Sequence, residues 1–242
     1  MNYKLDITYK GTNYHGFAKQ IDQVTIEQTI LDCLKDLFNL DVKLFASGRT
    51  DRYVHAVRQV INIKHKDLNI PPEALLHALN AKLPSDIRAL TCVIVDDNFH
   101  ARFSAKSKTY IYLMNLGFQF NVFEQDIIYQ YNQGVDLAKL DEFINIVQGK
   151  HNFLSFSTSE LDNTIRTIKK IEYSFDNNIL VIKVTGDGFL RNMVRMLIGA
   201  FLDYNEEKTN TIAIKNLLEQ PKKGAAIRKA PGCGLYLYDI EY

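Results

Sequence analysis

One short polar stretch of the sequence combines side chains that could perform covalent chemistry. Residues 47–56 read Ser-Gly-Arg-Thr-Asp-Arg-Tyr-Val-His-Ala and lie between apolar runs at 42–46 and 60–63 that predict strands. Arg49 and Asp51 are two residues apart, so an extended segment would point both side chains the same way. The guanidinium would then keep Asp51 ionised, as a nucleophile, a base or a metal ligand. The alternative is an Arg–Asp pair that only ties down a turn.

The elements that must position this stretch are predicted from periodicity. Residues 3–9 alternate apolar and polar as a half-buried strand does. Thr25 and Gln28 have the spacing of a capping box before a helical apolar pattern. Two strands at 168–175 and 179–186 flank a turn sequence, which indicates a hairpin. The sequence therefore predicts an α+β fold of two related halves, 1–104 and 105–242, whose mostly antiparallel sheets are flanked by helices. A cleft between halves is a frequent place for an active site.

Composition restricts the class of protein. The 242 residues include 46% hydrophobic and 24% charged residues, which is typical of globular proteins. No apolar run of about 18 residues predicts a membrane span, and the first residues lack the apolar core of a signal peptide. Three scattered cysteines without a C-x-x-C pair favour a reducing cytoplasm over a disulfide framework or a zinc site. The six histidines form no H-x-x-x-H or H-x-H pair, so a metal site is not expected.

The charge pattern gives only weak support for nucleic-acid binding. The formal net charge is +1, whereas such proteins usually carry a basic patch. Lysines and arginines do cluster at 106–108, 169–170, 222–223 and 228–229. Clusters of this kind are usually solvated faces, and an RNA-facing surface is the alternative.

Two later stretches also contain candidate functional side chains. Tyr110 lies in a predicted strand, where its ring could stack on an extruded base or could simply pack against the sheet. Arg195 follows the apolar pair Met193 and Val194 in a predicted helix that begins after a Gly-Asp-Gly turn. A buried arginine needs a carboxylate partner, which would be either a functional or a purely structural acid.

These stretches carry a resemblance to a known family. Gly48-Arg49-Thr50-Asp51-x-x-Val54-His55-Ala56 resembles the signature loop of the tRNA pseudouridine synthase A (TruA) family. The sequence departs from that loop at Arg52 and Tyr53, where Ala-Gly is usual. Four further segments are similar to family motifs and occur in the family's order: Asn80-x-x-Leu83-Pro84-x-Asp86-Ile87, Phe99-His100-Ala101-Arg102-Phe103, Gly186-x-Gly188-Phe189-Leu190-Arg191-x-Met193-Val194-Arg195 and Ala230-Pro231-x-x-Gly234-Leu235.

The resemblance implies a fold, an activity and a set of site residues. It implies the pseudouridine synthase fold and a cofactor-free isomerisation of uridine at positions 38, 39 and 40 of the tRNA anticodon arm, by a cytoplasmic homodimer. It implies these roles: Asp51 as the nucleophile, Tyr110 stacked on the uracil, Arg195 paired with Asp51, Leu235 against the base, and Arg49 filling the gap left by the flipped base or holding a phosphate. Two alternatives stay open, namely a non-catalytic RNA-binding protein on the same fold and a sibling synthase with another RNA target.

Overall fold

The computed structural model describes residues 1–119, 121–158 and 162–242. The strands are β1 (Asn2–Tyr9), β2 (Lys43–Ala46), β3 (His55–Lys64), β4 (Ile87–Ile94), β5 (Ser107–Asn115), β6 (Tyr129–Gln130), β7 (Gly149–Asn152), β8 (Ile165–Asp176), β9 (Ile179–Gly186) and β10 (Leu235–Glu241). The α-helices are α1 (Ile26–Phe38), α2 (Pro72–Lys82), α3 (Leu137–Val147), α4 (Met193–Asn205) and α5 (Thr211–Glu219). Within these ranges no helix has the length and apolarity needed to cross a membrane. The predicted α+β class is confirmed.

The chain divides into two compact units. The first contains Met1–Lys106 together with Tyr236–Tyr242, and the second contains Ser107–Leu235. The sequence-based division at 104/105 placed the closing strand in the second half, whereas nearly all of β10 lies in the first unit. The physical reason is that β10 pairs in parallel with β3, where Tyr236 is opposite His55.

The first unit is built on a sheet in the strand order β4-β1-β3-β10, and β2 also pairs with β3. β1 is antiparallel to both of its neighbours, with Leu5 opposite Ile61 on β3 and Cys92 on β4. The alternation predicted for β1 is confirmed, since Tyr3, Leu5, Ile7 and Tyr9 are all buried. The core of this unit therefore includes one face of β1, together with the buried stripe of α1.

Helix α1 begins and ends where the sequence indicates. The Thr25 hydroxyl accepts a hydrogen bond from the Gln28 backbone N–H at 3.3 Å, a cap worth about 1 kcal/mol. The Gln28 side chain donates to Asp32 at 2.6 Å. The helix ends at Asn39, which takes a left-handed conformation with φ of 53°. Ile30 and Leu34 are among the side chains that the helix buries.

The second unit has a sheet in the order β5-β9-β8-β7, and β6 pairs in parallel with β5. The predicted hairpin is confirmed as β8 and β9, and Asn177 in its turn has φ of 53°. Helix α4 is buried on nearly all sides from Met193 to Leu202, as expected for a helix that is apolar all round. This helix contributes many residues to the buried core and carries Arg195.

One arginine of the 228–229 basic cluster is a structural residue. The Arg228 guanidinium forms ion pairs with Asp203 at 3.1 Å and with Glu206 at 2.8 Å, both at the end of α4. Lys222, Lys223 and Lys229 in the same segment are exposed. Arg228 therefore anchors the basic segment to α4, and the three lysines remain on the surface.

The acid at the centre of this anchor gives a pH-dependent prediction. Burial opposes ionisation of Glu206, but hydrogen bonds from Lys208, Arg228 and Tyr131 outweigh burial and lower its pKa to about 2, from an ordinary value of 4.5. Because the folded-state pKa is depressed, the stabilisation is fully present above pH 4.5 and is lost as the pH falls toward 2. We expect Glu206→Gln to lower the free energy of unfolding at pH 7 by roughly 1–3 kcal/mol.

Denaturant unfolding between pH 7 and pH 2.5 checks this prediction. Glu206→Gln should lose less stability than the wild type across the acid range. The matched control is Glu207→Gln, since the Glu207 side chain is 83% exposed and pairs with Lys139 at the surface. Equal acid dependence in the wild type and in Glu206→Gln would contradict the assignment.

Candidate active site

Asp51 lies on the connection between β2 and β3, half-buried, with Arg49 exposed on the same loop. The connection is shorter than the sequence suggested, because His55 and Ala56 already belong to β3. The loop leaves the sheet at Ser47, whose backbone N–H donates to the Val60 carbonyl at 2.8 Å. Asp51 is thus only five residues after the end of β2 and four residues before the start of β3, and these two strands pair with each other.

A buried glutamine fixes the first part of this loop. The Ser47 hydroxyl donates to the Gln59 side-chain oxygen at 2.6 Å, and the Gln59 amide donates to the Gly48 carbonyl at 2.8 Å. Ser47 and Gln59 are fully buried. A buried side chain that satisfies loop groups in this way rigidifies them. Sequence analysis missed the role of Gln59. The feature that could have indicated it is a polar amide directly before an apolar strand.

Thr50, immediately before Asp51, is held from two sides. The hydroxyls of Tyr9 and Thr50 are 2.8 Å apart, and the Thr50 carbonyl accepts the Phe17 backbone N–H at 3.0 Å. Burial raises the pKa of Tyr9 above its ordinary value, so its phenol stays protonated. Asp51 therefore follows a residue whose backbone and side chain are both fixed.

Two glycines of the loop after β1 lie against the Asp51 loop. A Cβ on Gly11 would lie 2.1 Å from the Val54 carbonyl oxygen, and one on Gly16 would lie 2.8 Å from the Thr50 carbonyl oxygen. Gly16 also has φ of +93°, which favours glycine. The Gly11 N–H donates to Nδ1 of His55 at 2.9 Å, so that nitrogen is the unprotonated one. Close backbone approach explains both glycines, which the sequence could identify only as loop residues.

A tight turn follows Asp51. The Val54 N–H donates to the Asp51 carbonyl at 3.1 Å, and Tyr53, third in the turn, has φ of 65°. A left-handed conformation costs a residue with a side chain roughly 1–2 kcal/mol. Tyr53 stands where the family loop usually has glycine, so the backbone keeps a glycine conformation although the residue has changed. The Arg52 guanidinium lies over the Tyr53 ring at 4.7 Å.

In the second unit, Tyr110 lies on β5 opposite Val184 and is 7% exposed. Its ring meets that of Phe189 edge to face, with centroids 5.1 Å apart. Phe189 belongs to the segment between β9 and α4, so the Gly-Asp-Gly-Phe turn reaches the strand that carries Tyr110. An edge-to-face pair of this kind fixes the ring orientation.

Arg195 is held against the segment before β10. Its Nε donates to the Ala230 carbonyl at 2.8 Å, and the Ala230 N–H donates to the Arg195 carbonyl at 3.0 Å. The Tyr112 hydroxyl donates to the Pro231 carbonyl at 3.0 Å. Leu235 follows this segment and is buried. The second unit therefore brings β5, α4 and residues 230–235 together.

The sequence-predicted residues are distributed over both units. Asp51 and Arg49 share one anchored loop of the first unit. Tyr110, Arg195 and Leu235 belong to the second unit, on elements that contact one another. The residues that sequence analysis missed are those that fix the loop: Tyr9, Thr50 and Gln59.

The carboxylate on a fixed loop makes Asp51 the candidate reactive group of this α+β chain. The model of the tRNA pseudouridine synthase family matches residues 7–104 and 144–242. The chain belongs to this family. Tyr110 lies between the two matched segments.

Curated relatives extend over the whole chain. Proteins named tRNA pseudouridine synthase A from Malacoplasma penetrans and Ureaplasma urealyticum are 45% and 42% identical, with both chains covered in full. One from Dictyoglomus thermophilum is 36% identical, again over 100% of each chain. Similarity to a chain of a Cbf5-Nop10-Gar1 complex is slight, at 12% identity and a TM-score of 0.32 over 79% of this chain and 52% of that one. The family assignment therefore depends on the sequences.

Proposed function

We propose that this protein isomerises uridine to pseudouridine in tRNA, at positions 38, 39 and 40 of the anticodon arm. The observation that carries the proposal is the position of Asp51 on a loop fixed by Ser47, Gln59 and Thr50. Its match to the family motif supports Asp51 as the proposed nucleophile. Full-length similarity to proteins named tRNA pseudouridine synthase A supports the same activity.

The reaction is a rearrangement that balances without a redox partner. The bond between N1 of uracil and C1′ of ribose breaks, the base rotates, and a new bond forms between C5 and C1′. C5 then loses its proton and N1 carries one, so the product is an isomer of the substrate. Asp51 supplies a carboxylate to attack the nucleotide, at C1′ or at the base, and is released when the new bond is complete. No cofactor is required for these steps.

The other motif residues surround the extruded uridine in this proposal. The Tyr110 ring stacks on the uracil, Leu235 lies against the base, and Arg195 keeps Asp51 ionised. Arg49, exposed beside Asp51, fills the gap left by the flipped base or holds a phosphate. Extruding a base costs a few kcal/mol, least in loops and at stem ends, which suits an anticodon arm.

tRNA binding is proposed to use exposed lysines. Lys222, Lys223 and Lys229 lie on one surface segment, and phosphate contacts by such residues make affinity fall with salt. A homodimer in the cytoplasm is part of the proposal. A dimer would let two chains of net charge +1 combine their basic segments into one larger surface.

The experiment that tests the function is site-resolved mapping of pseudouridine in unmodified tRNA incubated with the purified protein. The expected result is conversion at positions 38, 39 and 40 without added metal. Conversion at another uridine would support the isomerisation but would show that the target is not positions 38, 39 and 40. Bound tRNA with no conversion would overturn the enzymatic proposal in favour of a non-catalytic RNA-binding protein.

A further inference from the structure

We propose that Tyr53, with Arg52 over its ring, is a stacking platform for an RNA base that flanks the target uridine. The inference rests on the proposed function, because it requires RNA at the Asp51 loop. The proposal adds a substrate-binding residue at position 53. The family loop usually has glycine there, which has no side chain for RNA to contact.

Tyr53 lies in the turn that directly follows the proposed nucleophile. Tyr53 is two residues after Asp51, inside the turn closed by the hydrogen bond from Val54 to the Asp51 carbonyl. The residue is 42% exposed even with the Arg52 guanidinium 4.7 Å from the ring centroid. An accessible aromatic ring therefore lies on the same short loop as Asp51.

The backbone conformation argues against a purely structural role for this ring. Six non-glycine residues in the described ranges have positive φ, and the other five are polar: Asp22, Asn39, Asn177, Asn192 and Glu207. Asn and Asp tolerate this conformation, whereas a bulky residue is strained in it. Tyr53 accepts that strain while its side chain stays substantially exposed. A bound partner for the ring accounts for both facts.

The chemistry of the pair fits a nucleobase. Aromatic side chains stack on bases of any sequence because every base has a π-face. An arginine over one ring face adds a cation–π contact and restricts the ring's motion. Arg52 therefore acts as a positioning residue for Tyr53, and its positive charge suits a site near phosphate.

The test compares tRNA binding by Tyr53 variants, using unmodified tRNA as the probe. Tyr53→Gly removes the ring and restores the usual family residue. We expect its Kd to rise roughly 5- to 150-fold, which corresponds to the loss of one base–aromatic stack. The rise in KM should exceed the fall in kcat, since Asp51 is untouched. Tyr53→Phe, which keeps the ring, should bind within about twofold of the wild type.

Melting temperatures separate binding from folding. Glycine relieves the positive φ, so Tyr53→Gly should melt at or above the wild-type temperature. Tyr53→Asn tolerates the same φ without a ring and should share the binding defect. Arg52→Ala should weaken binding less than Tyr53→Gly does.

Two results would overturn the platform. One is a Kd for Tyr53→Gly within about twofold of the wild type. The other is a fall in melting temperature for both Tyr53→Gly and Tyr53→Asn, which would mean that the ring stabilises the fold. Wild-type conversion of uridine alongside either result would leave the proposed function standing. If the wild type neither binds nor converts RNA, both the stacking platform and the proposed function are refuted.

Discussion

Asp51→Asn is expected to lower the rate of pseudouridine formation by roughly 10⁴-fold or more, as loss of a nucleophile does. The amide is nearly isosteric with the carboxylate but cannot attack the nucleotide. Ser47, Gln59 and Tyr9 fix the loop, so we expect folding and tRNA affinity to change little. Single-turnover assays with saturating enzyme measure the chemical step, and filter binding measures affinity.

The matched control for Asp51→Asn is Asp41→Asn in the same unit. The Asp41 side chain is 87% exposed and pairs with Lys35 at the surface. Exposed pairs contribute roughly 0–1 kcal/mol, so this variant should keep wild-type turnover. Substantial activity in Asp51→Asn would refute the nucleophile assignment, whereas equal losses in both variants would indicate a general effect of removing negative charge.

Gly11→Ala should damage both stability and catalysis. Its Cβ would lie 2.1 Å from the Val54 carbonyl oxygen and 2.8 Å from the carbonyl carbon, which are backbone atoms of the turn after Asp51. The contact can be relieved only by moving the loop or β1, at a cost of roughly 1–3 kcal/mol. A shift of about 1 Å in a reacting group can reduce the rate roughly 100-fold.

Thermal unfolding and single-turnover rates measured on the same preparation test this prediction. Gly134→Ala is the control, since a Cβ there meets nothing within 4 Å. It should match the wild type in rate. Normal turnover in Gly11→Ala would mean that Asp51 tolerates displacement of its loop, and would weaken the argument that the loop is fixed for catalysis.

Local sequence signals predicted the elements that depend on neighbouring residues. The Thr25 cap and the apolar spacing after it gave the bounds of α1, because capping and helix periodicity act within a few residues. The turn residues near Asn177 likewise predicted the β8–β9 hairpin. The resemblance made Asp51 the proposed nucleophile, and Asp51 lies on the loop between two strands, as the apolar runs on either side suggested.

The supports of the site depend on contacts that periodicity cannot reveal. Gln59 and Gly48 are eleven residues apart, and Gly11 and Val54 are much farther apart in sequence. The first contact depends on how β2 pairs with β3, and the second depends on how β1 pairs with β3. Arg228 belonged to an apparent surface cluster, and only its distances to Asp203 and Glu206 identify it as an anchor. The parallel pairing of β10 with β3 had no local signal either.

That parallel pairing has a consequence for the order in which the protein can fold during its synthesis. Arg58 on β3 donates a hydrogen bond to Asp239, which lies 181 residues later in the chain. The His55 ring stacks on the Tyr236 ring, with centroids 4.6 Å apart. Residues 1–106 leave the ribosome long before β10 has been synthesised. Until then, β3 has no β10 partner at His55 and Ala56, next to the Asp51 loop. A nascent chain arrested before β10 should stay protease-sensitive around residue 55, and supplying β10 as a separate peptide should protect it.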